Sequence, residues 1–200
     1  SNRGGGSCYD FAEMEAIGQV CKEAGLPFHL DGARLWNALV AKGETPAQYG
    51  QLFNSISICF SKSLGCPVGS VLLGDKAFIR KARRIRKVFG GGMRQAGMLA
   101  AAGLYALEHH IDRLATDHQH AQALAGCLQQ RAYVKELLPV ETNIIIFELH
   151  PGQSAPALVQ QLREKDILAY AIAPNRVRLV VHLDITPAMI DHTITILESI

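Results

Sequence analysis

At 200 residues the chain is long enough for one sizeable domain, or for a large piece carrying a small one. Its 48% hydrophobic and 19% charged composition excludes a disordered chain, and a net charge of +2 gives no global drive toward nucleic acid or an acidic partner. No apolar run approaches the roughly 20 residues that span a bilayer, and no signal-peptide pattern opens the sequence. The five cysteines are odd in number and widely spaced, with no C-x-x-C, which reads as reduced thiols in a cytoplasmic protein.

In chain order, Arg3-Gly4-Gly5-Gly6 reads as a loop, either a phosphate-cradling turn or a mobile segment. Asp10 caps a helix running to about Lys22, with Phe11, Met14, Ile17, Val20 and Cys21 on one side. The apolar run 27–30 is a strand that stops at Asp31, and Arg34 rides the first turn beyond it, facing either the same cleft or solvent. Thr45-Pro46 opens a short helix by the cap-then-proline rule. The β-branched run 56–60 has the length of a buried strand and stops at Ser61-Lys62-Ser63, where Gly65, Pro67 and Gly69 break regular structure. Residues 68–73 form a neighbouring strand, and a link without a helix implies an antiparallel hairpin.

Residues 75–89 form a helix with Phe78, Ala82, Ile85 and Phe89 as its buried stripe. Lys76, Arg80, Lys81, Arg83, Arg84, Arg86 and Lys87 surround that stripe, which reads as a solvated or intersubunit face, with phosphate contacts to nucleic acid as the competing reading. Gly90-Gly91-Gly92 gives a sharp bend before an apolar helix over 95–108, and Arg94 at that helix start is a ready anion site. His109, His110, His118 and His120 have spacings that read as solvated side chains, with no metal site. From about Ala132 the texture changes to a small α+β region with strands at 143–149, 167–172 and 176–183 and helices at 155–165 and after Thr186-Pro187. In the 176–183 strand Val177, Leu179 and Val181 point inward, while Arg176 and Arg178 share the polar face.

Two of these strands carry one charged residue each, Asp31 and Lys62. Strands of an α/β sheet deliver such residues to one crevice. Between apolar walls, desolvation favours the neutral, nucleophilic amine; the alternative is a lysine that merely reaches water at a strand exit. A lysine facing a carboxylate suits pyridoxal phosphate. The amine bonds the cofactor aldehyde, and the carboxylate keeps the pyridine nitrogen protonated so that the ring accepts electrons.

The blocks Leu30-Asp31-Gly32-Ala33-Arg34-Leu35-Trp36-Asn37-Ala38, Cys59-Phe60-Ser61-Lys62-Ser63-Leu64-Gly65-Cys66-Pro67-Val68-Gly69, Gly90-Gly91-Gly92-Met93-Arg94-Gln95-Ala96-Gly97 and Val177-Arg178-Leu179-Val180-Val181-His182-Leu183-Asp184 carry a resemblance across the chain. In order and spacing they resemble the low-specificity L-threonine aldolase family, pyridoxal-phosphate lyases of the aspartate-aminotransferase fold. The resemblance implies an α/β fold: part of the large domain of a fold-type-I enzyme over residues 1–130, and a small α+β C-terminal domain over 131–200. It implies Lys62 as catalytic residue and cofactor anchor, Asp31 on the ring nitrogen and Arg34 on the ring hydroxyl. Arg94 is expected at the phosphate of a partner subunit, Arg178 at the substrate carboxylate with Arg176 as its competitor, and Lys87 near the active site. The expected substrate is a small amino acid, the assembly a homodimer or homotetramer, and neither nucleic acid nor membrane is a partner. Ser1 corresponds to a mid-domain position in that family, whose phosphate-cradling turn and ring-stacking histidine would precede it. The expectation is therefore that these 200 residues alone bind cofactor poorly and turn over slowly. An aminotransferase of the same fold and a non-catalytic assembly fragment stand as alternatives.

Overall fold

Asp10 accepts hydrogen bonds from the Ala12 and Glu13 amides and starts helix α1 (Phe11–Glu23), as its cap position predicts. This is a computed structural model describing residues 4–200, so Arg3 and any phosphate turn built on it lie outside the described residues. The chain folds as two compact units, Tyr9–Asp112 on one hand and residues 4–8 with Arg113–Ile200 on the other.

In the first unit, α1 leads to β1 (His29–Gly32), α2 (Leu35–Lys42), α3 (Pro46–Leu52), β2 (Ser55–Cys59), β3 (Ser70–Gly74), α4 (Lys76–Val88) and α5 (Gly97–His109). Strand β1 runs parallel to β2, and β3 closes the predicted antiparallel hairpin, in the order β1-β2-β3. Asn54 fixes the entry of β2 beside β1: its side chain accepts from the Phe28 amide at 2.7 Å, and its amide donates to the Phe28 carbonyl at 2.9 Å. Ile56 and Ile58 project from one face of β2 and are buried with Met14, Leu35, Leu39, Tyr49 and Phe53. The other face carries the polar residues.

The expected apolar stripes are only partly used. Met14 is buried, whereas Ile17 and Val20 of α1 are exposed. No residue of α4 is buried, and Phe78, Ile85 and Phe89 are 40%, 54% and 85% exposed. An amphipathic pattern specifies a face suited to a partner surface; α4 rests on β3 with Ile79 and Ala82 only partly covered, and the rest of its stripe stays open. Helix α5 begins at Gly97 with Ala96 as its cap, later than predicted, because Gln95 adopts a left-handed φ of 49° that interrupts the helix.

The second unit contains α6 (Leu114–Gln129), β4 (Val134–Leu137), β5 (Ile144–Leu149), α7 (Ala155–Arg163), β6 (Tyr170–Ala173), β7 (Arg176–Val180) and α8 (Pro187–Ser199). Its sheet is wholly antiparallel, in the order β4-β5-β7-β6. Ile145, Phe147, Leu149, Val177 and Leu179 from the two central strands are buried with Leu124, Leu128, Leu158, Leu162, Ile190 and Leu197 from the helices. The period-two burial of β7 follows the predicted alternation. Leu114, Ala121, Leu124, Ala125 and Leu128 of α6 recur at helical spacing and are buried.

The glycine segment near the N-terminus is docked, not mobile, over the residues described. Thr142 donates to the Gly6 carbonyl at 2.8 Å, and the Cys8 amide donates to Glu141 at 3.0 Å. A Cβ on Gly6 would lie 2.5 Å from the Ile144 carbonyl oxygen, so only glycine lets the two backbones approach this closely.

Candidate active site

Asp31 lies inside β1 and not at its end, in register with Ser57 of the parallel strand β2. Side chains alternate along a strand, so Asp31, Ser57 and Cys59 share the face opposite buried Ile56 and Ile58. A strand separation of about 4.8 Å and a rise of about 3.3 Å per residue put the Asp31 and Cys59 Cα atoms roughly 8 Å apart on the diagonal. Lys62 follows the end of β2, and its Nζ donates to Cys59 Sγ at 3.3 Å. The register therefore brings the Lys62 amine and the Asp31 carboxylate to one face of one sheet.

The lysine turn is held by backbone contacts. The Phe60 amide donates to the Gly69 carbonyl and the Cys66 amide to the Phe60 carbonyl, while Gly65 and Gly69 adopt left-handed φ values of 71° and 118°. Helix α5 fastens the same turn from behind: His110 Nδ1 is 2.6 Å from the Leu64 carbonyl oxygen, and Cys66 Sγ donates to the Ala102 carbonyl. Leu64 between them is 1% exposed.

The apolar cleft expected around the amine is not formed within this unit, since Lys62 and Asp31 are both exposed. The helices that carry the core lie against the Ile56 and Ile58 face. Asp31 Oδ1 accepts from the Ala33 amide at 3.2 Å, leaving its second oxygen available. Neither Asp31 nor Lys62 forms an ion pair among the described residues. An amine and a carboxylate of opposite charge, on one face and not spent on each other, fit a group that takes an amine at one end and a carboxylate at the other.

Arg34 occupies the position just before α2 and is half-buried. Lys87 stands in the last turn of α4, and Gly92 folds back beneath it, where a Cβ would be 3.1 Å from Lys87 Cδ. Arg94 is exposed in the loop ahead of α5 and not at the helix start, so it lacks the helix-terminal amides expected beside it. His29 is exposed and within 2.8 Å of Ser55 Oγ across the β1–β2 ladder. His110 and His118 are not the solvated side chains expected, for His110 holds the lysine turn and His118 is buried. Burial pushes the His118 pKa down, against the neighbouring Asp117 carboxylate. Among the described residues there is no cluster of three or more His, Cys, Asp or Glu side chains suited to a metal, and no helix is long and apolar enough to cross a membrane.

In the second unit the two arginines of β7 separate clearly. Arg176 Nε donates to Glu148 Oε2 at 3.0 Å, and Lys135 Nζ reaches Glu148 Oε1 at 2.6 Å. The hydrogen bond from Lys135, then that from Arg176, holds the Glu148 carboxyl below the usual carboxylate range. Arg178 has no acidic partner among the described residues, and its Nε is buried without a hydrogen bond. The sequence had not revealed Glu148 as the group that separates them, although it lies opposite Arg176 in the β5–β7 register.

The beta-eliminating lyase family profile matches residues 1–151. The chain belongs to that family. Members of it are pyridoxal-phosphate dependent. The chain is 38% identical over 198 residues to low-specificity L-threonine aldolase 1 of Arabidopsis thaliana, covering 98% of this chain and 55% of that protein. It is 41% identical over 168 residues to low specificity L-threonine aldolase of Escherichia coli K12, covering 84% of this chain and 49% of that one. The chain thus spans about half the length of the curated relatives it matches. The threonine aldolase structure from Leishmania major superposes with a TM-score of 0.79 at 22% identity, covering 97% of this chain and 57% of that one. The fold is accordingly that of the fold-type-I pyridoxal-phosphate enzymes, of which this beta-eliminating lyase chain contains about half.

Proposed function

We propose that this chain carries the lysine-bearing part of a pyridoxal-phosphate-dependent aldehyde-lyase that cleaves L-threonine or L-allo-threonine to glycine and acetaldehyde. The observation that carries the reading is the Lys62 amine beside Cys59, on the sheet face that carries Asp31, with no ion pair to either among the described residues. The likeness to threonine aldolases supports the substrate.

Bound pyridoxal phosphate supplies an electron sink that lets the Cα–Cβ bond break and leaves its electrons at Cα. Lys62 would hold the cofactor through its amine. Asp31 would keep a proton on the ring nitrogen, Arg34 would meet the ring hydroxyl, and Arg94 would meet the phosphate of a partner subunit in a homodimer or homotetramer. Arg178 binds the substrate carboxylate, because a guanidinium matches a carboxylate with paired hydrogen bonds and Arg176 is already engaged by Glu148. Lys87 lies near the substrate. The enzyme works in the cytoplasm on a small amino acid, without nucleic acid or membrane as partner.

Because Lys62 and Asp31 are exposed, water competes with the cofactor for both, and residues 1–200 alone bind it weakly and turn over slowly. Borohydride reduction at saturating pyridoxal phosphate, followed by peptide mapping, tests the assignment. The label is expected on Lys62. Label spread over other lysines, with Lys62 unmodified, overturns it.

A further inference from the structure

Cys59 ends β2 and Lys62 sits in the turn beyond it, with Nζ and Sγ 3.3 Å apart. The same turn is clamped by the Phe60–Gly69, Cys66–Phe60 and Lys62–Gly65 backbone hydrogen bonds, so the main chain that carries both side chains is held in place. Cys59 is only partly buried and Lys62 is exposed, which leaves the pair open to small solutes. Cys66 and Cys127, by contrast, are both buried.

We propose that Cys59 and Lys62 form a peroxide-sensitive modification site that closes to a reversible sulfur–nitrogen crosslink. The Cys59 thiolate attacks one oxygen of hydrogen peroxide, the O–O bond breaks, and the departing hydroxide leaves as water, giving a sulfenic acid. The lone pair of the Lys62 amine then attacks that sulfur. An S–N bond forms as the S–O bond breaks, and the leaving hydroxide takes a proton from the nitrogen as a second water. The peroxide is reduced and the sulfur oxidised by two electrons, and the protein loses two hydrogens. An added thiol reverses the step by attacking sulfur, returning the amine and then the free cysteine. The consequence for activity rests on the cofactor reading above: a lysine held by sulfur has no amine for the cofactor aldehyde, so oxidation and cofactor binding exclude each other.

The test treats the chain with dilute hydrogen peroxide and follows it by intact mass and fragment mapping. Loss of two hydrogens, tryptic cleavage blocked after Lys62, a Cys59–Lys62 link in the fragments and recovery with dithiothreitol are expected. Cys59→Ser is expected to abolish the link, and Lys62→Arg to stop at a sulfenic acid that a cyclic diketone traps. Oxidised Cys59 beside an unmodified Lys62, a disulfide from Cys59 to another cysteine, or an unchanged mass each overturns the proposal. Pre-incubation with saturating pyridoxal phosphate separates the two readings. A link that forms equally with and without cofactor sinks the cofactor assignment alone, whereas borohydride label on Lys62 without any link sinks only the crosslink.

Discussion

Arg176 and Glu148 face each other across the β5–β7 ladder and are joined by a 3.0 Å hydrogen bond, so one of the two arginines on that face of β7 is already neutralised. Arg178 is expected to carry the substrate carboxylate alone. In the cofactor-loaded protein, Arg178→Ala should weaken threonine binding at least about tenfold, the range of a charge-assisted hydrogen bond, while Arg176→Ala changes it less than about twofold. Titration calorimetry reads both. Equal losses from the two variants would remove the distinction.

The Lys135–Glu148–Arg176 cluster gives the second unit an acid-sensitive component. The folded-state pKa of Glu148 is depressed, so its contribution is present above the ordinary carboxylate value of 4.5 and is lost as pH falls through the lower folded value. Urea unfolding of the wild type should therefore weaken more between pH 6 and pH 3 than that of Glu148→Gln, by a difference that shrinks in high salt. Parallel curves for the two proteins would contradict the linkage.

At the alkaline end the corresponding group is Tyr133. Its hydroxyl donates to the Leu197 carbonyl at 3.0 Å, and burial first, then the Cys127 thiol, pushes its pKa from 10.0 to about 12, against Arg131. The sign follows: the stability is complete below pH 10.0, where the unfolded tyrosine also keeps its proton, and is lost as pH rises toward 12. Two pKa units bound the loss at about 2–3 kcal/mol. Tyr133→Phe should be less stable at neutral pH but flatter above pH 10, as urea midpoints at several pH values would show.

Gly6→Ala forces a methyl group against the Ile144 carbonyl, 2.5 Å away, and should destabilise the second unit by about 1–3 kcal/mol. Gly4→Ala, whose Cβ would meet nothing nearer than Ser7 Oγ at 3.9 Å, is the matched control. Indistinguishable melting curves would show that the glycine segment contributes nothing to this unit.

Much of the local structure was determined by sequence, for reasons of short range. Asp10, Thr45, Asp75 and Thr186 cap helices because a side-chain oxygen two or three residues before a free amide can accept from it wherever the helix ends up. The alternation in β7 was legible for the same reason: strand period is a property of the chain. Tertiary structure decided what those patterns meet. The stripe of α4 stays exposed, since a periodic face names no partner. Glu148 claims Arg176 and leaves Arg178, because a register between distant strands chooses which of two like residues finds a counter-charge. Cys59 and Lys62 come within 3.3 Å where the main chain beyond β2 is closed by the Phe60–Gly69 and Cys66–Phe60 backbone bonds, a closure that spacing alone does not encode.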